Sequence, residues 1–140
     1  MVVGDTVWLK RFATHPACLE SLREVVGLPN PKSLDQTVFN DIGSLSEHRI
    51  WLDHKIINWI AELSESDLKF ILRYHNTKGV AATKRYSSLV LHFFNHQTHH
   101  RGQVSTLLAQ AGVDIGVTDL LAEIPEENKV MHSDSFSVRL

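Results

Sequence analysis

Four of the nine histidines in this 140-residue chain lie close together, between positions 92 and 100. His92, His96 and His100 are spaced four residues apart, and His99 directly precedes the last of them. On a helix, which turns by about 100° per residue, His92 and His100 lie within about 40° of His96. Adjacent turns can therefore direct two imidazoles at one ion, a recurring way to bind a transition metal. The spacing predicts a metal site at His96 and His100.

Other side chains on the same predicted face could complete or support this site. His92 and His99 are candidate further ligands, and Gln103 lies about 20° from His96. Because imidazole suits zinc, nickel and ferrous iron, we expect one of these divalent metals as cofactor. Two histidines are too few for a tight site, which needs a third protein ligand. The alternative is a set of hydrogen-bonded core histidines, since this spacing also arises by chance.

His92, His96, His99 and His100 are called the histidine stripe below. Leucines share this face of the predicted helix, so the stripe is expected to face inward. Leu89 and Leu107 lie about 20° from His96 on the same helical projection. The histidines outside the stripe are scattered, and most of them are expected to be solvated. These four are His15, His54, His75 and His132. His48 is a candidate extra donor, because it is next to Arg49, which is predicted below to lie on the packed side of a long helix.

Composition excludes several classes of protein. The chain has 14 Lys and Arg against 16 Asp and Glu, which gives a net charge of −2. It therefore lacks the excess of basic residues that is typical of nucleic-acid binders. No apolar run approaches the roughly 18 residues that span a bilayer, and the first residues do not form a signal peptide. Cys18 is the single cysteine, so no disulfide forms within the chain, and a structural role is favoured over a nucleophilic one. We expect a cytoplasmic protein without nucleic-acid or membrane partners.

The helices that must position the histidines can be read from apolar spacing. Residues 1–12 form a first helix without a cap, and residues 13–33 form a proline-containing linker with at most a short helix. A row of mostly apolar residues, spaced alternately four and three apart and called the seam below, predicts a long helix over residues 35–63. Ser33 and Gln36 are predicted to form a capping box at its start. The members of the seam are Val38, Ile42, Leu45, Arg49, Leu52, Ile56, Trp59 and Leu63. Arg49 either extends its guanidinium to solvent or binds a buried carboxylate or an anion.

The second half of the chain contains a turn-rich connection and another long helix. Two short extended runs around an Asn- and Gly-containing turn predict a small β-hairpin or an extended loop in residues 70–86. A long helix follows from Ser87 or Ser88 to Ala111, with Gly112 just after its end. Residues 1–122 are predicted to form one helical domain, and residues 123–140 a disordered tail.

The stripe and its surroundings resemble a known family. The segment HFFNHQTHHRGQVSTLLAQAGVD with the following GVTDLL, and GDTVWLKRF near the start, look like the DinB family within the DinB/YfiT-like metalloenzymes. The resemblance implies an all-α four-helix bundle, usually a homodimer, that binds a divalent metal through three histidines. Two of those ligands correspond to His96 and His100. The third would fall immediately before Met1, and the first helix of the bundle is missing, which we interpret as truncation of a DinB-like ancestor.

The resemblance leaves the third ligand and the reaction open. His92, His99 or Asp5 could complete the site, and a second subunit could cover the exposed seam. The family implies a metal-dependent hydrolase or a thiol-dependent transferase that acts on a small molecule, in which the metal activates water or a thiol. Gln103 or His92 would then support the two ligands through hydrogen bonds. The competing interpretation is a non-catalytic helical dimerisation or interaction protein that retains a relic of the metal site.

Overall fold

The computed structural model describes residues 1–17 and 19–125, which are mostly helical. The helices are α1 (Val2–Phe12), α2 (Arg23–Gly27), α3 (Ile42–Glu62), α4 (Glu65–Leu68) and α5 (Tyr86–Gln110), and the strands are β1 (Ile71–His75) and β2 (Ala81–Arg85). The helical class with one small hairpin is confirmed, whereas the four-helix bundle stays a prediction. Within the described ranges, no helix is both long and apolar enough to cross a membrane.

The chain divides into two compact units, Met1–Gln103 and Val104–Leu140. The first contains α1 to α4, the hairpin and most of α5, and the second is described as far as residue 125. Cys18, His132 and residues 126–140 of the predicted tail lie outside the described residues. The predicted roles of Cys18 and of the tail therefore stay predictions.

Three aromatic side chains join α1, α3 and α5 in the core of the first unit. The ring of Phe12 on α1 stacks on Trp59 of α3, with 4.8 Å between the centroids. Phe93 of α5 meets Phe12 edge-on at 5.7 Å and Trp59 at 5.8 Å. All three residues are almost fully buried, and large aromatic surfaces in edge-to-face contact contribute strongly to a core. This cluster fixes the positions of the helices that carry the histidines and their neighbours.

Helix α3 begins seven residues later than predicted. The carboxylate of Asp41 accepts a hydrogen bond from the Ser44 N–H at 2.8 Å, which makes Asp41 the N-cap. The capping box predicted from Ser33 to Gln36 is wrong, because the Gln36 side chain instead accepts from the backbone N–H of Lys32. A capping aspartate satisfies the free N–H groups at the start of α3, so the helix begins at Ile42.

The predicted seam of α3 is confirmed only in its second half. Leu52, Ile56 and Trp59 are buried in the core. Val38 lies before the helix and is 49% exposed, and Ile42 in the first turn is 79% exposed. The heptad spacing therefore identified the side of α3 that packs, but it extended the contact surface beyond the residues that α1 and α5 cover.

The predicted hairpin is present and leads directly into α5. Strands β1 and β2 pair antiparallel, from Ile71 opposite Arg85 to His75 opposite Ala81. The Asn76 carboxamide oxygen accepts two backbone N–H groups of the turn, and Gly79 there has a φ of 77°. Helix α5 also ends close to the predicted residue, at Gln110, and Gly112 has the left-handed φ of 75° expected just after a helix.

The first residue of α5, Tyr86, offers a test of the aromatic core. The Trp59 indole N–H donates to the Tyr86 hydroxyl at 3.1 Å in a buried site. Tyr86→Phe leaves this donor without an acceptor, so we expect a loss of about 1–2 kcal/mol in the free energy of unfolding, measured with urea. Tyr74→Phe, at a half-buried position of the hairpin, is the matched control and should cost less than about 0.5 kcal/mol. Equal losses in both variants would contradict the importance of this hydrogen bond.

Candidate metal centre

Helix α5 presents the histidines at the edge of its buried face rather than at the centre. Its buried residues are Tyr86, Leu89, Phe93 and Gln97. This line is rotated by about 60° from the predicted stripe, because Phe93 and Gln97 occupy the face that meets α1 and α3. The prediction of an inward stripe is therefore wrong for His92 and His99, which are exposed, while His96 and His100 are half-buried. Leu107, predicted on the same inward face, is 64% exposed.

His96 and His100 approach each other closely. Their Nε2 atoms are 3.2 Å apart, and their ring centroids are 4.4 Å apart. Two imidazole nitrogens that bind one ion at about 2.0–2.1 Å are about 3.3–3.4 Å apart when their angle at the ion is tetrahedral. The observed separation of 3.2 Å is close to this value. The distance between the two residues predicted as ligands is therefore compatible with a shared divalent ion.

Gln103 fixes the orientation of one of these two rings. The Nδ1 atom of His100 lies 2.8 Å from Oε1 of Gln103, and an amide oxygen only accepts. In the neutral ring this contact corresponds to a proton on Nδ1 and a lone pair on Nε2, the atom that lies 3.2 Å from Nε2 of His96. A partner that holds the far nitrogen of a histidine is the usual support of a metal ligand, which is the role predicted for Gln103.

The surroundings of His96 favour its neutral form. Burial lowers the pKa of His96, and the nearby imidazoles of His100, His92 and His99 lower it further, while the charge of Asp5 acts in the opposite direction. A neutral imidazole is the form that binds metal ions, because protons compete for the same lone pair. His96 is therefore available as a ligand at neutral pH.

The beginning of α1 lies against His96, and its next turn lies near His92. A Cβ atom on Gly4 would be 3.8 Å from Cε1 of His96, and the Trp8 ring lies 5.2 Å from the His92 ring. Successive turns of α1 thus meet successive turns of α5 in an antiparallel register.

Asp5 lies next to this contact, in a buried polar cluster. Its side chain is 1% exposed, and Oδ2 accepts from Nη1 of Arg49 at 2.5 Å and from Nε2 of Gln97 at 3.1 Å. The other terminal nitrogen of Arg49 donates to Asp53 at 2.5 Å. Burial raises the pKa of Asp5, and the hydrogen bonds and charge of Arg49 oppose that rise, as does the Gln97 amide. Of the two alternatives for Arg49, the structure shows the guanidinium bound to a buried carboxylate.

Gln97 is the polar residue of this cluster that sequence reasoning missed. It occupies the helical position four residues after Phe93, on the buried line of α5. Its spacing from Phe93 was the available signal, since a glutamine at a core position needs a buried partner. The partner, Asp5, is 92 residues away in the chain.

His15 is buried, so the prediction that it is solvated is wrong. It is 4% exposed, and its Nδ1 accepts from the N–H of Ala17 at 3.1 Å. The ring packs edge-on against Phe70 at 4.5 Å and Tyr86 at 4.8 Å. The turn after α1 folds this residue back against the start of α5, which its isolated place in the sequence does not reveal.

His48, His54 and His75 form no metal-binding group with the pair in the described residues. His48 is half-buried, and its ring packs against Phe39 and Trp51 at 5.0 and 5.2 Å. His54 and His75 are exposed, as predicted. Across residues 1–17 and 19–125, no three His, Cys, Asp or Glu side chains converge on a common metal position. The third ligand, whether His92, His99, Asp5 or another group, stays a prediction.

These features define a mostly helical protein with a paired-histidine site on its last long helix. The sequence model of the DinB family matches residues 1–130. The chain belongs to the DinB family, and the resemblance stated from its motifs is confirmed. No curated protein and no solved structure matches the chain.

Proposed function

We propose that this DinB-family chain binds one divalent ion, zinc, nickel or ferrous iron, through Nε2 of His96 and Nε2 of His100. The observation that carries the proposal is the 3.2 Å separation of these two atoms. The ion would take the place of the proton that the two nitrogens share. Gln103 supports this role, because it keeps the proton of His100 on the nitrogen that faces away.

The chemistry that follows is that of a metal-dependent hydrolase or a thiol-dependent transferase. A bound divalent ion acts as a Lewis acid and makes water or a thiol nucleophilic at neutral pH. In this chain His96 and His100 would hold the ion, and Gln103 would orient His100. Gly4 leaves space beside the His96 ring that a larger side chain would fill. The substrate is proposed to be a small molecule.

A third ligand is required for tight binding. The candidates are Asp5, the exposed histidines His92 and His99, and a residue of a second subunit.

Metal content tests this proposal directly. Untagged protein is saturated with Zn²⁺ or Ni²⁺ and desalted, and the bound metal is measured by inductively coupled plasma mass spectrometry. We expect about one ion per chain. A content near zero after this treatment would contradict both the metal site and the enzymatic function that depends on it.

A second candidate function, a helical interaction protein, is supported by apolar residues on the outside of the helices. Ile50 and Ile57, seven residues apart on α3, are 56% and 64% exposed, and Leu91 on α5 is 63% exposed. Exposed apolar surface of this kind favours association, including a homodimer. Size-exclusion chromatography with light scattering should show the same oligomer with and without EDTA if interaction is the function. A monomer in both conditions would contradict it.

A further inference from the structure

A cavity of about 480 Å³ lies on a part of the first unit that does not include the histidine pair. Its wall is formed by the second half of α1, the loop after α2 and the turn of the hairpin. Three basic side chains line it: Lys10 and Arg11 from α1 and Lys32 from the loop. None of the described residues that line it is an aspartate or a glutamate. The cavity thus concentrates positive charge in a protein whose net charge is −2.

Lys10 retains capacity for a ligand. Its ammonium donates to the carbonyl oxygen of Leu28 and, at 2.8 Å, to the side-chain oxygen of Asn30. Both acceptors are neutral, so the charge of Lys10 is not compensated. Because an ammonium has three N–H groups, one donor remains. The two bonds hold the loop against α1 and fix the position of the charge.

Arg11 packs against two aromatic rings rather than against an anion. Its guanidinium carbon lies 4.7 Å from the centroid of the Trp8 ring and 5.1 Å from that of Tyr74. Cation–π contacts of this kind hold the guanidinium without using its N–H groups as hydrogen-bond donors. Within residues 1–17 and 19–125, no carboxylate forms an ion pair with Arg11 or with Lys32. Burial lowers the pKa of both Lys10 and Arg11, the cost expected for cations that lack an anion.

Neutral donors and an apolar side complete the cavity. Ser33 and Thr77 bring hydroxyl groups to the wall, and Val7 and Leu34 bring apolar surface. The volume falls within the range of about 300–1,000 Å³ that is typical of small-molecule sites. A ligand with a charged group and a small organic part would match this lining.

We propose that this cavity binds the anionic head group of a small organic phosphate. Three cations and two hydroxyl donors match a dianion with three terminal oxygens better than a single carboxylate, which carries one charge and two oxygens. The apolar wall would contact the organic part. This site does not depend on the proposed metal function, because none of its residues belongs to the histidine pair or its supports.

Binding of phenyl phosphate to the full chain tests the proposal. Isothermal titration calorimetry is performed with EDTA present, so that a metal at the histidines plays no part. We expect saturable binding at one site, competition by inorganic phosphate, and no competition by phenol, which lacks the charge. Absence of saturable binding, or equal competition by phenol, would overturn the proposal.

A charge-matched pair of variants locates the site. Lys32→Gln removes a cation from the exposed loop of the cavity without affecting the core, and we expect phenyl phosphate to bind about tenfold more weakly. Lys84→Gln removes the same charge from β2, at a position that does not line the cavity, and should change the affinity less than twofold. Equal weakening in the two variants would indicate general attraction to positive charge and would overturn the assignment to this cavity.

Discussion

Replacing His100 with alanine is expected to lower the affinity of the protein for Zn²⁺ or Ni²⁺ at least about a hundredfold, and His96→Ala should do the same. Changes to residues that only support a ligand cost about 10–100-fold, so loss of a ligand itself should cost at least as much. The two imidazoles are proposed to share one ion because their Nε2 atoms are 3.2 Å apart. The affinity is measured by competition with a chromophoric chelator.

The neighbouring stripe histidines provide the controls for this experiment. His99→Ala removes the same side chain from an exposed position adjacent to His100, and His92→Ala does so one turn before His96. We expect each to change the affinity less than threefold. If either variant loses as much affinity as His100→Ala, that histidine is the third ligand and not a bystander.

Gln103 gives the same experiment an intermediate case. Gln103→Ala removes the acceptor that holds the Nδ1 proton of His100 at 2.8 Å, but it leaves both proposed ligands in place. We expect affinity to fall about tenfold. An unchanged affinity would show that the orientation of His100 does not depend on this hydrogen bond.

The sequence was most informative where a local pattern determines the structure. The hairpin followed from two short runs around a turn that contains Asn76 and Gly79, and the end of α5 followed from Gly112. These signals depend on backbone preferences of a few adjacent residues, so no distant contact can change them easily. The start of α3 was missed because Ser33 and Asp41 are both good caps, and local sequence preferences do not rank one above the other.

The candidate site was predicted less completely, for reasons that are also physical. Spacing identified His96 and His100 because residues four apart on a helix are neighbours wherever the helix lies. Spacing could not orient α5 about its axis, since the buried face depends on Phe12 and Trp59 from other helices. The buried Asp5 was recognised only as a candidate ligand, because its partners Arg49 and Gln97 are 44 and 92 residues away.

That buried carboxylate provides the largest expected effect on stability. Asp5→Ala should lower the free energy of unfolding by about 3 kcal/mol, because removing one member of a buried ion pair leaves the other charge poorly compensated. The side chain of Arg49 is only 18% exposed, and the buried Gln97 amide would lose its acceptor in the same variant. Urea unfolding, followed by circular dichroism in the presence of EDTA, measures the loss.

Asp53 is the matched control, since it binds the other terminal nitrogen of the same guanidinium at the same distance of 2.5 Å. Its side chain is 53% exposed, so water compensates for its loss, and Asp53→Ala should cost less than about 1 kcal/mol. If the two alanine variants are equally stable, burial does not distinguish the two ion pairs. Combining Asp5→Ala with Arg49→Met should recover part of the loss, because the double variant no longer leaves a cation without its buried partner. The recovered fraction separates the cost of a stranded charge from the packing that Asp5 itself provides between α1 and α5.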